Sequence, residues 1–145
     1  MRILDGIITP GVGAATGDLQ ARLPIFRQEY DELQGCFPGT INVDVGAPID
    51  VKIDFRTLPQ QCGNEVHAFE FIRVLFEYPV GTEPIRAWIF QPYGFHWGPR
   101  NKKTFLEVLA TGHIAGVKPG QPCRIHVLND HGSTSTSVHW RKAHP

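Results

Sequence analysis

Thr40 and Asn42 stand two residues apart in the segment Phe37-Pro38-Gly39-Thr40-Ile41-Asn42-Val43-Asp44-Val45. On a β-strand, successive side chains point to opposite faces, so Thr40 and Asn42 share one face while Ile41, Val43 and Val45 share the other. Two neutral oxygen donors at a strand mouth can hold a hard cation or a phosphate-bound magnesium ion. A solvated Thr/Asn pair is the plain alternative. Upstream, Gly11-Val12-Gly13-Ala14-Ala15-Thr16-Gly17 has the form GxGxxxG. Glycines permit positive φ and carry no Cβ, so backbone amides there can converge on an anion; a hairpin turn is the alternative use. No GxxxxGK[ST] is present, which excludes a Walker loop. The dinucleotide fingerprint is excluded because the following residues read as a short strand stopped by Pro24.

Elements that would position these residues follow from patterning. Arg2 to Ile8 reads as a strand, closed by Thr9-Pro10-Gly11, and Asp18 to Leu23 as another with Leu19, Ala21 and Leu23 on one face. Ile25 to Gln34 places Phe26, Tyr30 and Leu33 at helical spacing, with Pro24 at its start and Gly35 at its stop. Pro38-Gly39 is turn chemistry ahead of the Thr40/Asn42 strand. Ala47 to Gly63 wanders over the surface, with a short strand through Ile49, Val51 and Ile53. Val66 to Tyr78, Pro84 to Gln91, Thr104 to Leu109 and Cys123 to Leu128 complete the strands, rich in β-branched and aromatic residues. Frequent turn signals with one short helix predict a mainly β chain, a small barrel or sandwich.

With 145 residues, one domain is expected, covering 1–128, followed by a polar tail 129–145 that is frayed or adds a late edge strand. Fourteen basic residues balance fourteen acidic ones, so no field attracts nucleic acid or an anionic membrane. No apolar run approaches the about 20 residues of a membrane span, and the opening residues lack a secretion leader. Cys36, Cys62 and Cys123 are odd in number and lack Cys-x-x-Cys spacing, which disfavours disulfides and zinc and fits a reducing cytoplasmic setting. His67, His126, His131, His139 and His144 form no HxH or HxxxH pair, and no GxSxG is present. Asp5, Asp50, Asp54 and Glu70 suggest no particular partner, and most of them read as solvated.

The segments GVGAATG, LPIFRQEYDELQG, FPGTINVDV and FLEVLA, in that order, resemble the CTP-dependent riboflavin kinase family, known chiefly from archaea. The first three match over about residues 6 to 46 and the fourth over Thr104 to Ala110; the middle of the chain aligns only in outline. The resemblance implies a closed cradle-loop β-barrel of about six strands. It implies that Gly11, Val12, Gly13, Ala14, Ala15, Thr16 and Gly17 cradle the nucleotide phosphates, and that Thr40 and Asn42 ligate Mg²⁺. It further implies that Glu107 lies by the flavin, receiving a ribityl hydrogen bond or the proton of the 5′-hydroxyl. The implied reaction gives FMN and CDP; phosphoryl transfer needs mainly alignment and charge neutralisation.

Two segments depart from the family. Where it carries a basic stretch after the acidic strand, this chain has Thr111-Gly112-His113-Ile114-Ala115-Gly116, with no arginine. His113 then either contacts the nucleotide or is an exposed turn histidine, with Arg22 and Lys103 as further substitutes. The loop Gln91 to Lys103 is longer than the family's and contains Phe95, His96 and Trp97. These three either stack on the flavin ring, clasp another planar ligand, or cap the barrel. A kinase acting on another small alcohol and a non-catalytic binding barrel therefore stand beside the flavin kinase.

Overall fold

Apolar residues at every second position give strands one buried face, and enough such strands close on themselves to leave no edge. The computed structural model describes residues 2–10, 14–47, 49, 51–62, 65–92 and 104–129. In chain order these form β1 (Arg2–Thr9), α1 (Ala14–Glu29), a 3₁₀ turn (Asp31–Gly35), β2 (Thr40–Asp44), β3 (Phe55–Arg56), β4 (Gln60–Cys62), β5 (Glu65–His67), β6 (Phe69–Glu77), β7 (Ile85–Pro92), β8 (Phe105–Ala110) and β9 (Pro122–Val127). Six strands close an antiparallel barrel in the cyclic order β6-β7-β8-β2-β1-β9, and β3 pairs outside it. The mainly β, six-stranded closed barrel is thus observed, with one α-helix among the described residues. Strand β6 gives one edge to β7 and divides the other between β3 at Glu70–Phe71 and β9 at Val74–Glu77.

Two cores use the two faces of this sheet. Leu4, Ile8, Val43, Ile72, Val74, Ile89, Leu106, Val108 and Ile125 fill the barrel. Phe69, Phe71, Leu75, Trp88, Phe90 and Leu109 point outward and pack beneath Leu23, Phe26 and Leu33 of the helical segment. The wall β6–β7 is therefore covered on both sides, which accounts for the nearly unbroken burial along β6. Gly6 faces the interior, where a Cβ would sit 2.4 Å from Val43 Cγ1, itself fully buried. Gly6→Ala is expected to cost about 1–3 kcal/mol by overpacking, measured by urea denaturation, and Gly6→Ala/Val43→Ala to recover part of that loss.

The helix corrects three expectations. Asp18–Leu23 is not a strand, and Ala14, Ala15, Thr16 and Gly17 are not loop: all belong to α1, with Pro24 inside it. Ala14, Ala15, Leu19, Gln20, Ala21, Arg22 and Leu23 are good helix formers, and this propensity overrides the alternation. An interior proline costs about 3 kcal/mol. Burial of Leu23, Phe26 and Leu33, all at most 1% exposed, offsets it at about 1.5–3 kcal/mol each. The expected helix Ile25–Gln34 is instead the end of α1 plus the 3₁₀ turn. Ile49–Ile53 is no strand, although Ile49 is buried and Val51 and Ile53 pack on the barrel core. The expected strand Val66–Tyr78 breaks at Ala68 into β5 and β6. Gly11, Val12, Gly13, the aromatic residues Phe95, His96 and Trp97, Lys103, Asp50 and the tail beyond Asn129 lie outside the described residues. Among the described residues no helix is long and apolar enough to cross a membrane.

Candidate functional site

At one barrel end, β1 finishes, β2 starts and β8 finishes. Thr9 pairs with Asn42, and Asn42 pairs with Glu107, in direct antiparallel register across these three strands. The adjoining row Ile8–Val43–Leu106 belongs to the barrel interior. By alternation, Thr9, Asn42 and Glu107 share the opposite face, and Thr40 joins them two residues along β2.

The loop Thr111–Gln121 folds over this end and forms the facing wall. Its anchors are numerous: Ile8 N–H donates to Gln121 O (2.9 Å), Gly120 N–H to Ile8 O (2.7 Å), and Thr111 N–H to Arg86 O (3.2 Å). The Tyr78 hydroxyl donates to Gly116 O (2.6 Å) and lies against the Gln121 side chain. Gly116 and Gly120 turn the loop with φ of 74° and 89°, a region that disfavours residues with a Cβ. Ile114 and Val117 pack down on the barrel core. From the other side, Phe37 N–H donates to Ala110 O (2.9 Å), and the Phe37 ring meets that of His113 at 5.2 Å and 58°.

Between these walls lies a cavity of about 470 Å³, a size suited to a small-molecule ligand. It is lined by Thr9, Thr40, Asn42, Glu107 and His113 as polar side chains, with Ile8, Phe37, Ile41, Ile114 and Val117 as the apolar part. Four residues singled out from the sequence, Thr40, Asn42, Glu107 and His113, are thus brought together. Ala14–Gly17, expected in a glycine loop, are the first turn of α1. Thr9, Phe37 and the Ile114/Val117 wall were not foreseen. Thr9 was legible as the outward residue after inward Ile8, but its pairing with Asn42 depends on register.

No family model and no curated protein matches the chain. The chemistry of the site therefore rests on its own donors. Among the described residues no group of three His, Cys, Asp or Glu side chains is placed to hold a metal. Thr40 and Asn42 instead offer neutral oxygens on one strand face, with the Glu107 carboxylate next door, a donor set suited to a hard cation that keeps waters or phosphate oxygens. Mg²⁺ fits this set. Arg22 does not serve the cavity: its guanidinium lies 5.9 Å over the Phe69 ring on the outer wall. At Cys36 and Cys123 thiol chemistry is disfavoured, because burial pushes Cys36 up to about 12 and Cys123 up to about 11.

Of the acids expected to lack partners, Glu70 and Asp54 are engaged inside the fold, while Asp5 stays exposed beside Arg124. Glu70 is buried and paired with Arg56 at 2.8 Å, Asp54 accepts from Arg73 N–H at 2.6 Å, and Asp5 meets Arg124 at 3.1 Å. His126 contacts Glu77 at 2.8 Å, away from the cavity lining. A hydrogen bond from Gly81 N–H, then the His126 contact, holds the Glu77 carboxyl below the usual range.

Proposed function

We propose that this protein is a riboflavin-kinase-like phosphotransferase that moves the γ-phosphoryl of CTP to the riboflavin 5′-hydroxyl, giving FMN and CDP. The observation that carries the reading is the convergence of Thr40, Asn42, Glu107 and His113, from three separate chain segments, on one cavity.

Thr40 and Asn42 hold Mg²⁺, which when bound neutralises charge on the triphosphate. The Glu107 carboxylate, directly across from Asn42, accepts the proton of the 5′-hydroxyl. The hydroxyl oxygen bonds to the γ-phosphorus as the bond to the β–γ bridging oxygen breaks, and CDP leaves with that electron pair. His113, against Phe37, borders the nucleotide.

A second reading has its own support. No Lys or Arg stands among the described residues lining the cavity, although charge-assisted cationic contacts are the usual partners of phosphates. That favours a kinase relative acting on another small alcohol, or a non-catalytic small-molecule-binding barrel. One experiment separates the readings: purified protein is titrated with riboflavin and with CTP or ATP plus Mg²⁺, following flavin fluorescence and diphosphate release. Turnover of riboflavin with CTP is the expected result. Nucleotide binding without flavin turnover selects the second reading, and absence of nucleotide binding overturns the kinase.

A further inference from the structure

Thr9 is the last residue of β1, and Pro10 after it has no N–H with which to continue the ladder. The backbone just before it cannot slip. Ile8 N–H is held by Gln121 O and Ile8 O by Gly120 N–H, while the Ile8 side chain is sealed in the barrel core. A residue fixed inward at position 8 turns Thr9 outward, onto the face that carries Thr40, Asn42 and Glu107.

Register then determines distance. Directly opposed antiparallel residues have Cβ atoms about 4.5–5.5 Å apart, and same-face neighbours along a strand are about 7 Å apart. Asn42 therefore sits at a corner, with Thr9 across one ladder, Glu107 across the other, and Thr40 along its own strand. All four line the cavity. Thr40 and Asn42 alone give a hard cation two neutral protein oxygens, and the Thr9 hydroxyl is the next neutral oxygen on that face. Glu107, on the far side of Asn42, stays with the acceptor alcohol.

We propose that Thr9 is a third oxygen ligand of the cation held by Thr40 and Asn42. This rests on the kinase reading of the site and assigns it a residue outside the motifs that suggested that reading. Thr9 also places the end of β1 in the cation site, so the closing of the barrel and the shaping of the site share one backbone position.

The test uses the intact protein, Mn²⁺ as the spectroscopic probe, and CTP. Wild type, Thr9→Val and Thr9→Ser are titrated with Mn²⁺·CTP by electron paramagnetic resonance, and with CTP alone in EDTA. Valine keeps the β-branched shape and removes only the hydroxyl; serine keeps the hydroxyl and serves as the folding-independent control. Thr9→Val is expected to weaken Mn²⁺·CTP binding about tenfold, the lower end of what a lost ligand-shell partner costs. Metal-free CTP binding is expected to be unchanged, and Thr9→Ser to behave as wild type. Wild-type-like Mn²⁺·CTP binding by Thr9→Val overturns the assignment alone, as does equal weakening with and without metal. A wild type that binds no Mn²⁺·CTP overturns the kinase reading and this assignment together.

Discussion

Glu107→Gln is expected to lower kcat for riboflavin phosphorylation about 10²–10⁴-fold, the usual contribution of a positioned general base. The amide keeps the size and hydrogen-bonding reach of the carboxylate and loses its basicity. Glu107 lies directly across from Asn42 and lines the same cavity, so under the proposed function the substitution would remove the proton acceptor. CTP affinity is expected to change by less than about threefold, because uniform binding is separate from interactions made only in the transition state. Single-turnover CDP formation and equilibrium CTP titration read the two quantities apart. A kcat equal to wild type would take Glu107 out of the proton transfer and leave it as a flavin contact.

The largest stability effect is expected at Arg73, far from that chemistry. Its guanidinium meets Glu32 in a two-point contact, Nη2 to Oε1 at 2.6 Å and Nε to Oε2 at 2.9 Å, and lies 5.4 Å over the Phe55 ring. Asp54 accepts the Arg73 backbone N–H, and burial pushes the Asp54 carboxyl up. Arg73→Met leaves both acids without this cation in a largely desolvated place. Removing one partner of such a network costs about 2–4 kcal/mol, toward the lower side for groups that keep some solvent. For a chain of this size that lowers Tm by about 6–12 °C. Calorimetry on Arg73→Met, Glu32→Gln and the double variant checks it: the double variant is expected to lose less than the sum. Additive losses would show that the two side chains do not support one another.

The barrel was legible because its strands follow period two in the sequence. The inward set Leu4/Ile8, Val43, Leu106/Val108 and Cys123/Ile125/Val127 alternates cleanly with outward residues. The helix was less legible. Pro24 and the Leu19/Ala21/Leu23 alternation suggest a strand end, and only the outward apolar face of β6–β7 gives Leu23 and Phe26 a reason to be helical. That face is a tertiary fact, invisible in the helix itself. In the site, Thr40 and Asn42 were readable from their own spacing. Their pairings were not: Thr9 and Glu107 reach Asn42 through two different ladders, and a single sequence does not encode register in any local pattern. The acids show the same limit. Glu70 and Asp54 look like surface residues until Arg56 and Arg73 arrive from other strands.

Trp88 is fully buried, and its indole N–H donates to Glu32 Oε2 at 2.9 Å, across the seam between the 3₁₀ turn and the barrel wall. Its strand neighbour Leu109 pairs in turn with Thr40. Detaching the helical segment would strip this indole of both its acceptor and its dry surroundings. With Trp97 and Trp140 replaced by Phe, the protein carries a built-in emission reporter, whose wavelength follows that seam separately from barrel unfolding and without an added dye.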